Sequence, residues 1–478
     1  MIDAAPNAET CRTLALSLLR EKRFEEALVH ARQAATEAPD DPGNWINLCN
    51  IAQKSDEYGE ALHAADRIVA LAPGDPLGYF GRGVALYYLD RHEDSIAACQ
   101  EAVRIKPDYA DAWTIIGQSC QSLKRPKDAR QAYRRAIEAN GQTIQGEDGR
   151  EVAEDEYGNR HWDLALAELQ DGDLLHGFAR YRSRFKALSN LKRQKLPQPL
   201  WQGEDVRGKT ILVMGEQGYG DTLMFCRYLP LLRTRGACVI FLPPPALVPL
   251  FGADQFRSPR DRLDLHASVF DLPHRFGTTL DTIPANVPYL PTPAPDARTR
   301  ISGNGRIKVG LIWAGEPSHG NDKRRSIPLA QMTDLFAGTH AQIFSLTRDL
   351  RPGDTEMLAY YSIPNLAPLL DDFLSSARLI GQMDLVITCD TASAHLAGGM
   401  GKKVWILLPF NPDWRWLLGR DDSPWYPTAR LFRQEAPGDW AGVIRRVQSA
   451  LADVDGFPVG LNDPGDARGR ERAPPPRD

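Results

Sequence analysis

The amino-acid sequence predicts an α-helical solenoid followed by an α/β half built as two facing Rossmann-like domains. Three observations carry that prediction. Pro39, Pro73 and Pro107 stand 34 residues apart, a period typical of stacked helical hairpins. From Lys209 the pattern changes to short apolar runs, each followed by a helical stretch. A second alternation of the same kind begins at Arg306, beyond the proline-rich stretch 284–300.

In frame, the repeats run roughly 8–41, 42–75, 76–109 and 110–143, and residues 1–143 form an array of about four units. The fourth position of each carries Cys11, Trp45, Tyr79 or Trp113, large side chains for the most part, as filling a hole requires. The eighth carries Ala15, Cys49, Gly83 and Gly117, and the twentieth Ala27, Ala61, Ser95 and Ala129, small enough for two helices to approach closely. The prolines end each second helix, because proline lacks an N–H and restricts the residue before it. The fourth unit departs, with Gly141 in the proline position. A 34-residue unit of this kind resembles the tetratricopeptide repeat (TPR), and such stacks form concave grooves for peptides. A protein partner held in that groove is the expectation.

The totals bound the rest. At 478 residues the chain is too long for one core. Net charge is −5 and the isoelectric point about 6.1, so nothing draws it in bulk to nucleic acid or to an anionic membrane. Seven cysteines lie in apolar stretches with no CxxC pair, which reads as buried free thiols in a reducing compartment. The first residues, MIDAAPNAETCR, have no basic start followed by an apolar run, and no stretch approaches the ~20 apolar residues that span a bilayer. A cytoplasmic protein with no membrane span and no zinc site is expected.

Residues 144–195 read as a polar, glycine-rich loop followed by a degenerate hairpin capping the stack, with Leu164, Leu166, Leu169, Phe178, Tyr181 and Phe185 on its apolar face and Gly172 at its turn. Residues 196–300 form the first Rossmann-like domain: KTILVMG is a buried parallel strand, DTLMFCRYLPLLRTRG a helix ending at a glycine, ACVIFLP the next strand. Residues 301–455 form the second, through RIKVGLIWAG, AQIFSL, MDLVITCD and KKVWILLP. Residues 456–478, rich in Gly, Pro, Arg and Asp, are expected to be a disordered tail. Ligands of such sheets sit at the carboxyl ends of the strands, here in the cleft between the domains.

Four segments could carry chemistry. In GEQGYGDTLMF, 215–225, Gly218 and Gly220 allow a positive φ or a close approach, and Asp221 stands near a helix N-terminus. Asp221 reads either as a helix cap or as a carboxylate base facing the cleft. The spacing is neither a dinucleotide fingerprint nor a P-loop, which argues against an NAD enzyme or an ATPase. In CDTASAHLAGG, Asp390 and Thr391 precede a helix whose free N–H groups suit phosphate, while Ala392, Ser393 and Ala394 leave room for a ligand. His395 reads as a ligand contact or as a hydrogen-bonded core histidine. In WAGEPSHGNDKRRSIPL, 313–329, Lys323, Arg324 and Arg325 form either a solvated loop or donors to a diphosphate. In 407–434, Trp414, Trp416, Trp425 and Tyr426 pack across the domain seam or stack on a base or sugar.

Together these segments resemble the heptosyltransferase-like glycosyltransferases of GT-B fold, over about residues 200–435. GYGDTLMF matches the family's glycine-aspartate motif and DTASAHLAG its Asp-Thr-x-x-x-His motif. The whole layout looks like bacterial proteins that fuse tetratricopeptide repeats to such a transferase, some of which glycosylate flagellin. The resemblance implies transfer from a nucleotide-sugar donor, with no resident cofactor and without an obligatory metal, to a Ser or Thr hydroxyl of a protein. It makes Asp221 the catalytic base. It assigns Gly218, Gly220, Lys323, Arg325, Asp390, Thr391, Ala392 and His395 to the donor and its phosphates, and Trp313 and Gly315 to the donor cleft. The family's lipopolysaccharide enzymes lack a repeat array, so two alternatives stand beside this expectation. One is an enzyme of the same fold acting on a polysaccharide or lipid-linked glycan. The other is a non-catalytic adaptor with a decayed transferase fold.

Overall fold

The computed structural model describes residues 7–140, 158–188, 196–216, 218–252, 263–337 and 339–455. Gly141, most of the polar loop before the capping hairpin, and the tail 456–478 lie outside them.

The array consists of α1 (Ala8–Arg20), α2 (Phe24–Glu37), α3 (Pro42–Lys54), α4 (Tyr58–Leu71), α5 (Pro76–Tyr88), α6 (His92–Ile105), α7 (Ala110–Ser122) and α8 (Pro126–Ala139). The periodic prolines stand two residues beyond the ends of α2, α4 and α6. Two of them also offer a carbonyl: the Trp45 and Trp113 indoles donate to Pro39 O at 2.8 Å and Pro107 O at 2.9 Å. A second set of prolines, Pro42 and Pro76, opens the next helices behind Asp41 and Asp75, which accept N–H groups of the first turn. The small positions do what their size requires. A Cβ added at Gly83 would lie 2.2 Å from Cys99 Sγ, and one at Gly117 2.5 Å from the Tyr133 ring. Ser95 Oγ donates to Gly83 O at 2.7 Å in the same contact. The turns inside the hairpins share a left-handed residue, Lys22, Asp56, Asp90 and Lys124, at φ 61°, 60°, 56° and 57°. Each lets the next amide reach back to the end of the preceding helix, as Arg23 N does to Leu18 O.

α9 (Gly158–Gln170) and α10 (Leu174–Arg180) form the capping hairpin, turning at Gly172 with φ +87°. The short α11 (Arg184–Ala187) then carries the chain toward the first sheet. That sheet has strand order β2-β1-β3, all parallel, with β1 (Thr210–Met214), β2 (Cys238–Leu242) and β3 (Leu265–Ser268). The helix expected after β1 is broken. α12 (Tyr219–Phe225) leads through a tight turn to a second short helix, Leu229–Thr234, because Pro230 interrupts the run.

The second sheet has order β5-β4-β6-β7-β8, again all parallel, with β4 (Lys308–Ile312), β5 (Gln342–Ser345), β6 (Leu385–Cys389), β7 (Val404–Leu408) and β8 (Ala429–Arg433). β6 and β7 are buried at every residue, as central parallel strands covered on both faces must be. Strands β3 and β8 fall where the sequence analysis placed none. The proline-rich stretch is pinned rather than loose: Tyr289 N and Leu290 N both donate to Gly399 O. The C-terminal half of the chain is thus α/β, with two parallel sheets and their helices.

One hydrophobic core runs from the capping hairpin (Phe178, Tyr181) through the first sheet (Phe225, Phe270) into the second (Trp414, Trp425). A second core, with Val309, Trp313, Trp405, Trp440 and Val447, lies on the other face of the second sheet. Six of the seven cysteines are buried. Cys238 is exposed, against the expectation that all are buried, because it opens β2 at the sheet edge.

Candidate functional site

The loops leaving the carboxyl ends of β1 and β6 meet. Gly218 and Gly220 flank the start of α12, yet neither uses the left-handed region; Gly218 has φ −69°. Gly220 is there for close approach. A Cβ on it would sit 2.8 Å from His395 Cδ2 and 3.3 Å from Ala392 Cα. Ala392, at the start of the helix Ala392–Gly399, therefore admits the facing helix α12 against its Cα. Gly401, φ +71°, follows the helix Ala392–Gly399.

Asp221 is the third residue of α12 and lies beside the Gly218 amide. Its carboxylate accepts from Arg415 Nη2 in an ion pair spanning the two sheets' domains. Arg415 Nη1 holds Asp413 at 2.6 Å, and the guanidinium lies 4.5 Å over the Trp414 ring. Burial raises Asp221 above the usual carboxylate range, Asp413 adds to this, and Arg415 opposes it. Burial, with Asp413 second, pushes Asp390 up to about 6, against Trp416, Arg415 and Arg325. Asp221 and Asp413 thus share the Arg415 guanidinium, while Arg415 and Arg325 both act on Asp390.

Arg325 enters this cluster from the cation loop. Its Nη1 donates to Asp390 O at 3.0 Å, and Gly315 makes room for it, since a Cβ there would lie 2.8 Å from Arg325 Nη2 and 3.2 Å from Thr391 Cγ2. Arg351 braces the loop, donating to Asp322 at 2.7 Å and Gly315 O at 3.1 Å. The other two cations diverge: Lys323 is exposed, and Arg324 reaches toward the array, 3.7 Å from Asp90. Thr391 does not cap its helix; its hydroxyl pairs with that of Thr388 at 3.2 Å.

His395 is buried, with Nδ1 and the Tyr426 hydroxyl 2.8 Å apart and its ring stacked on Trp416 at 5.2 Å. Burial, with Arg415 and Arg227 nearby, drives its pKa well below the ordinary value, so the ring is neutral. Of the two readings above, the geometry matches the core histidine. Trp313 belongs to the second core, its indole donating to Asp354 at 3.0 Å, so its side chain faces the core rather than a cleft. Trp414, Trp416, Trp425 and Tyr426 are all buried and pack across the seam, Trp414 against Phe178 at 5.6 Å and Trp425 against Phe225 at 6.1 Å.

Sequence reasoning missed the buried arginines. Arg184 of α11, fully enclosed, pairs with Glu216 just after β1 and with Asp271 at 3.1 Å. Arg227 donates to Trp425 O at 2.7 Å and to the Tyr289 hydroxyl at 2.9 Å. Their signal was an arginine flanked by aromatic residues, in YRSRF and FCRYL. The array and its capping hairpin also touch the loop that carries Arg415: Gln170 of α9 donates to Asn411 at 2.8 Å, and Lys124 Nζ lies 3.4 Å from the Phe410 ring centre. A cavity of about 570 Å³, lined by Met214, Gly215, Leu242, Pro243, Pro244, Pro245 and Val248, opens at the carboxyl ends of β1 and β2. Its volume is in the range of small-molecule sites. Among the described residues, no group of three or more His, Cys, Asp or Glu is arranged to hold a metal ion, and no helix is long and apolar enough to cross a membrane.

Residues 48–110 and 110–143 match the tetratricopeptide repeat family. Over 94% of its length the chain is 26% identical to Protein FlbA of Caulobacter vibrioides, covering 79% of that protein. Shorter matches include the small glutamine-rich tetratricopeptide repeat-containing protein 2 of Mycosarcoma maydis, 26% identical over 19% of this chain. Another is the heat-shock protein cognate co-chaperone sgt12 of Aspergillus fumigatus, 28% identical over 19%. The chain spans about a quarter of each of those two, 26% and 27%. Among solved structures it is similar to a thermophilic repeat protein of Thermus thermophilus, at 20% identity and TM-score 0.31, over 38% of this chain and 92% of that one. The N-terminal region thus consists of tetratricopeptide repeats, and the chain is similar to the Caulobacter protein well beyond them.

Proposed function

We propose that this protein is a glycosyltransferase of GT-B type. It moves a sugar from a nucleotide-linked donor to a Ser or Thr hydroxyl of a protein acceptor, flagellin being one candidate, held by the repeat array. The observation that supports it most is the meeting of Gly220–Asp221 with Asp390–Thr391–Ala392 between two parallel sheets. Two segments separated by more than 160 residues converge at the strand ends where such folds bind ligands.

In this reading Asp221 takes the proton of the acceptor hydroxyl as the oxygen attacks the anomeric carbon, with inversion. The C–O bond to the nucleoside diphosphate breaks, and the electron pair leaves with the phosphate. Arg325 and the N–H groups at Thr391–Ala392 are the donors nearest to the developing charge. A positioned base contributes roughly 10²–10⁴-fold, and buried donors aimed at the leaving oxygens about 2.7–4 kcal/mol each. The array raises the local concentration of hydroxyl.

Incubation with labelled sugar nucleotides and host lysate is expected to label protein, and Asp221→Asn to cut transfer by about 10²–10⁴-fold. Undiminished transfer by that variant removes Asp221 as base, and label in lipid or polysaccharide replaces the protein acceptor. One observation favours a second reading, a repeat adaptor with an idle α/β half: Asp221 is already engaged by Arg415. Calorimetry showing no affinity for any sugar nucleotide would select it.

A further inference from the structure

Arg415 stands between the candidate base and the candidate leaving-group site, and the proposed function above does not use it. It belongs to the second domain's loop but spends Nη2 on Asp221 of the first. Asp413 orients it twice, through its side chain at 2.6 Å and its backbone amide at 3.0 Å. The side chain is more than nine-tenths buried, and its Nε has no hydrogen-bond partner. A buried guanidinium with a spare donor, facing Asp221 and acting electrostatically on Asp390, has a second direction in which to bond. While it grips Asp221 it holds down that carboxylate's affinity for a proton, against the rise that burial causes, because an adjacent cation stabilises the ionised form.

Resting on that transferase reading, we propose that Arg415 is a donor-operated latch. Without donor it neutralises Asp221 across the seam. When a nucleoside diphosphate occupies the Arg325–Thr391 end of the cluster, the guanidinium turns to the more highly charged phosphates and releases Asp221 to act as base. The same cation then hydrogen-bonds the phosphate oxygen that keeps the electron pair of the broken C–O bond, as the acceptor oxygen bonds to the anomeric carbon and its proton passes to Asp221. The base is thereby uncovered only when there is a sugar to transfer. Anion and Asp221 compete for one guanidinium, so weakening either grip must strengthen the other.

The test is a double-mutant cycle on the full chain, with inorganic pyrophosphate as probe in calorimetry. Arg415→Gln is expected to weaken pyrophosphate binding about tenfold or more, the loss of a charge-assisted donor. Asp221→Asn is expected to tighten it about tenfold with Arg415 present, and hardly at all in the Arg415→Gln background. Equal tightening in both backgrounds would mean that Asp221 merely repels the anion, and no tightening in either would mean that Arg415 is not shared; each overturns the latch. Should Arg415→Gln fail to fold, Arg415→Lys serves. A single ammonium spans Asp413 and Asp221 less well, so the gain from Asp221→Asn must shrink, and an undiminished gain overturns the proposal. Pyrophosphate binding without coupling removes the latch and leaves the transferase reading standing. Failure of the unmodified protein to bind pyrophosphate removes the diphosphate site and the latch together.

Discussion

The repeat array and the α/β half treat charge in opposite ways. Across α1–α8 the ion pairs lie in solvent, as in Arg23–Glu26, Arg91–Asp94 and Arg125–Glu93, while alanine, glycine and cysteine fill much of the interior. In the α/β half Arg184, Arg227 and Arg415 are 0%, 3% and 7% exposed. A surface pair contributes at most about 1 kcal/mol. A buried ion costs several kcal/mol to dehydrate and persists only where partners surround it. The array is therefore held by shape. The seam is held partly by charge, in the place where a reaction would need it.

Breaking that comparison most severely means leaving buried carboxylates unpaired. Arg184→Met strands Glu216 and Asp271, and chemical denaturation should show a loss of about 3–5 kcal/mol from the α/β half. In the array the matching insult is one of volume. Gly117→Ala drives a methyl against the buried Tyr133 ring and should lower stability by about 1–3 kcal/mol in thermal melts. Gly74→Ala, with open space around it, should stay within about 0.5 kcal/mol by the same melts.

Asp163 on α9 lies where the two regimes join. Burial, against the pull of Arg160, raises its carboxyl to about 7. Its folded pKa exceeds its unfolded one, so its contribution to stability is full below about pH 4 and fades as pH rises to about 7. Asp163→Asn should accordingly stabilise the protein by roughly 1–3 kcal/mol at pH 8, and progressively less toward pH 5, as read by melts across that range. A small effect is expected at the left-handed turns. Lys22→Gly relieves a φ of +61° and should add up to about 1 kcal/mol; no gain would mean that the turn is held by the hydrogen bonds around it.

The array was legible because its signals are local and repeated. Proline, tryptophan and small residues recur at a fixed spacing, and each acts on a neighbour within the same or the next hairpin, as Trp45 does on Pro39. Most strands of the α/β half were legible as apolar runs. β3 escaped because LHAS is short and carries a histidine, and β8 because ARLFR alternates polar with apolar residues, although Leu431 and Phe432 pack inward. The helix after β1 read as one element and is two, since Pro230 acts on a run whose apolar pattern continues through it.

For the site, residue types alone identified Asp221, Arg325, Asp390 and Gly220 as worth attention, and the fold brings all four together. The sequence by itself determined the solenoid, the parallel α/β character and those segments, because each depends on spacing within one stretch of chain. The tertiary structure alone decided that Gly220 serves a helix contact, that His395 and Trp313 face inward, and that Arg415 reaches Asp221 from 194 residues away. The physical reason is that burial and pairing of charge depend on what arrives from distant chain, and no local pattern encodes that arrival.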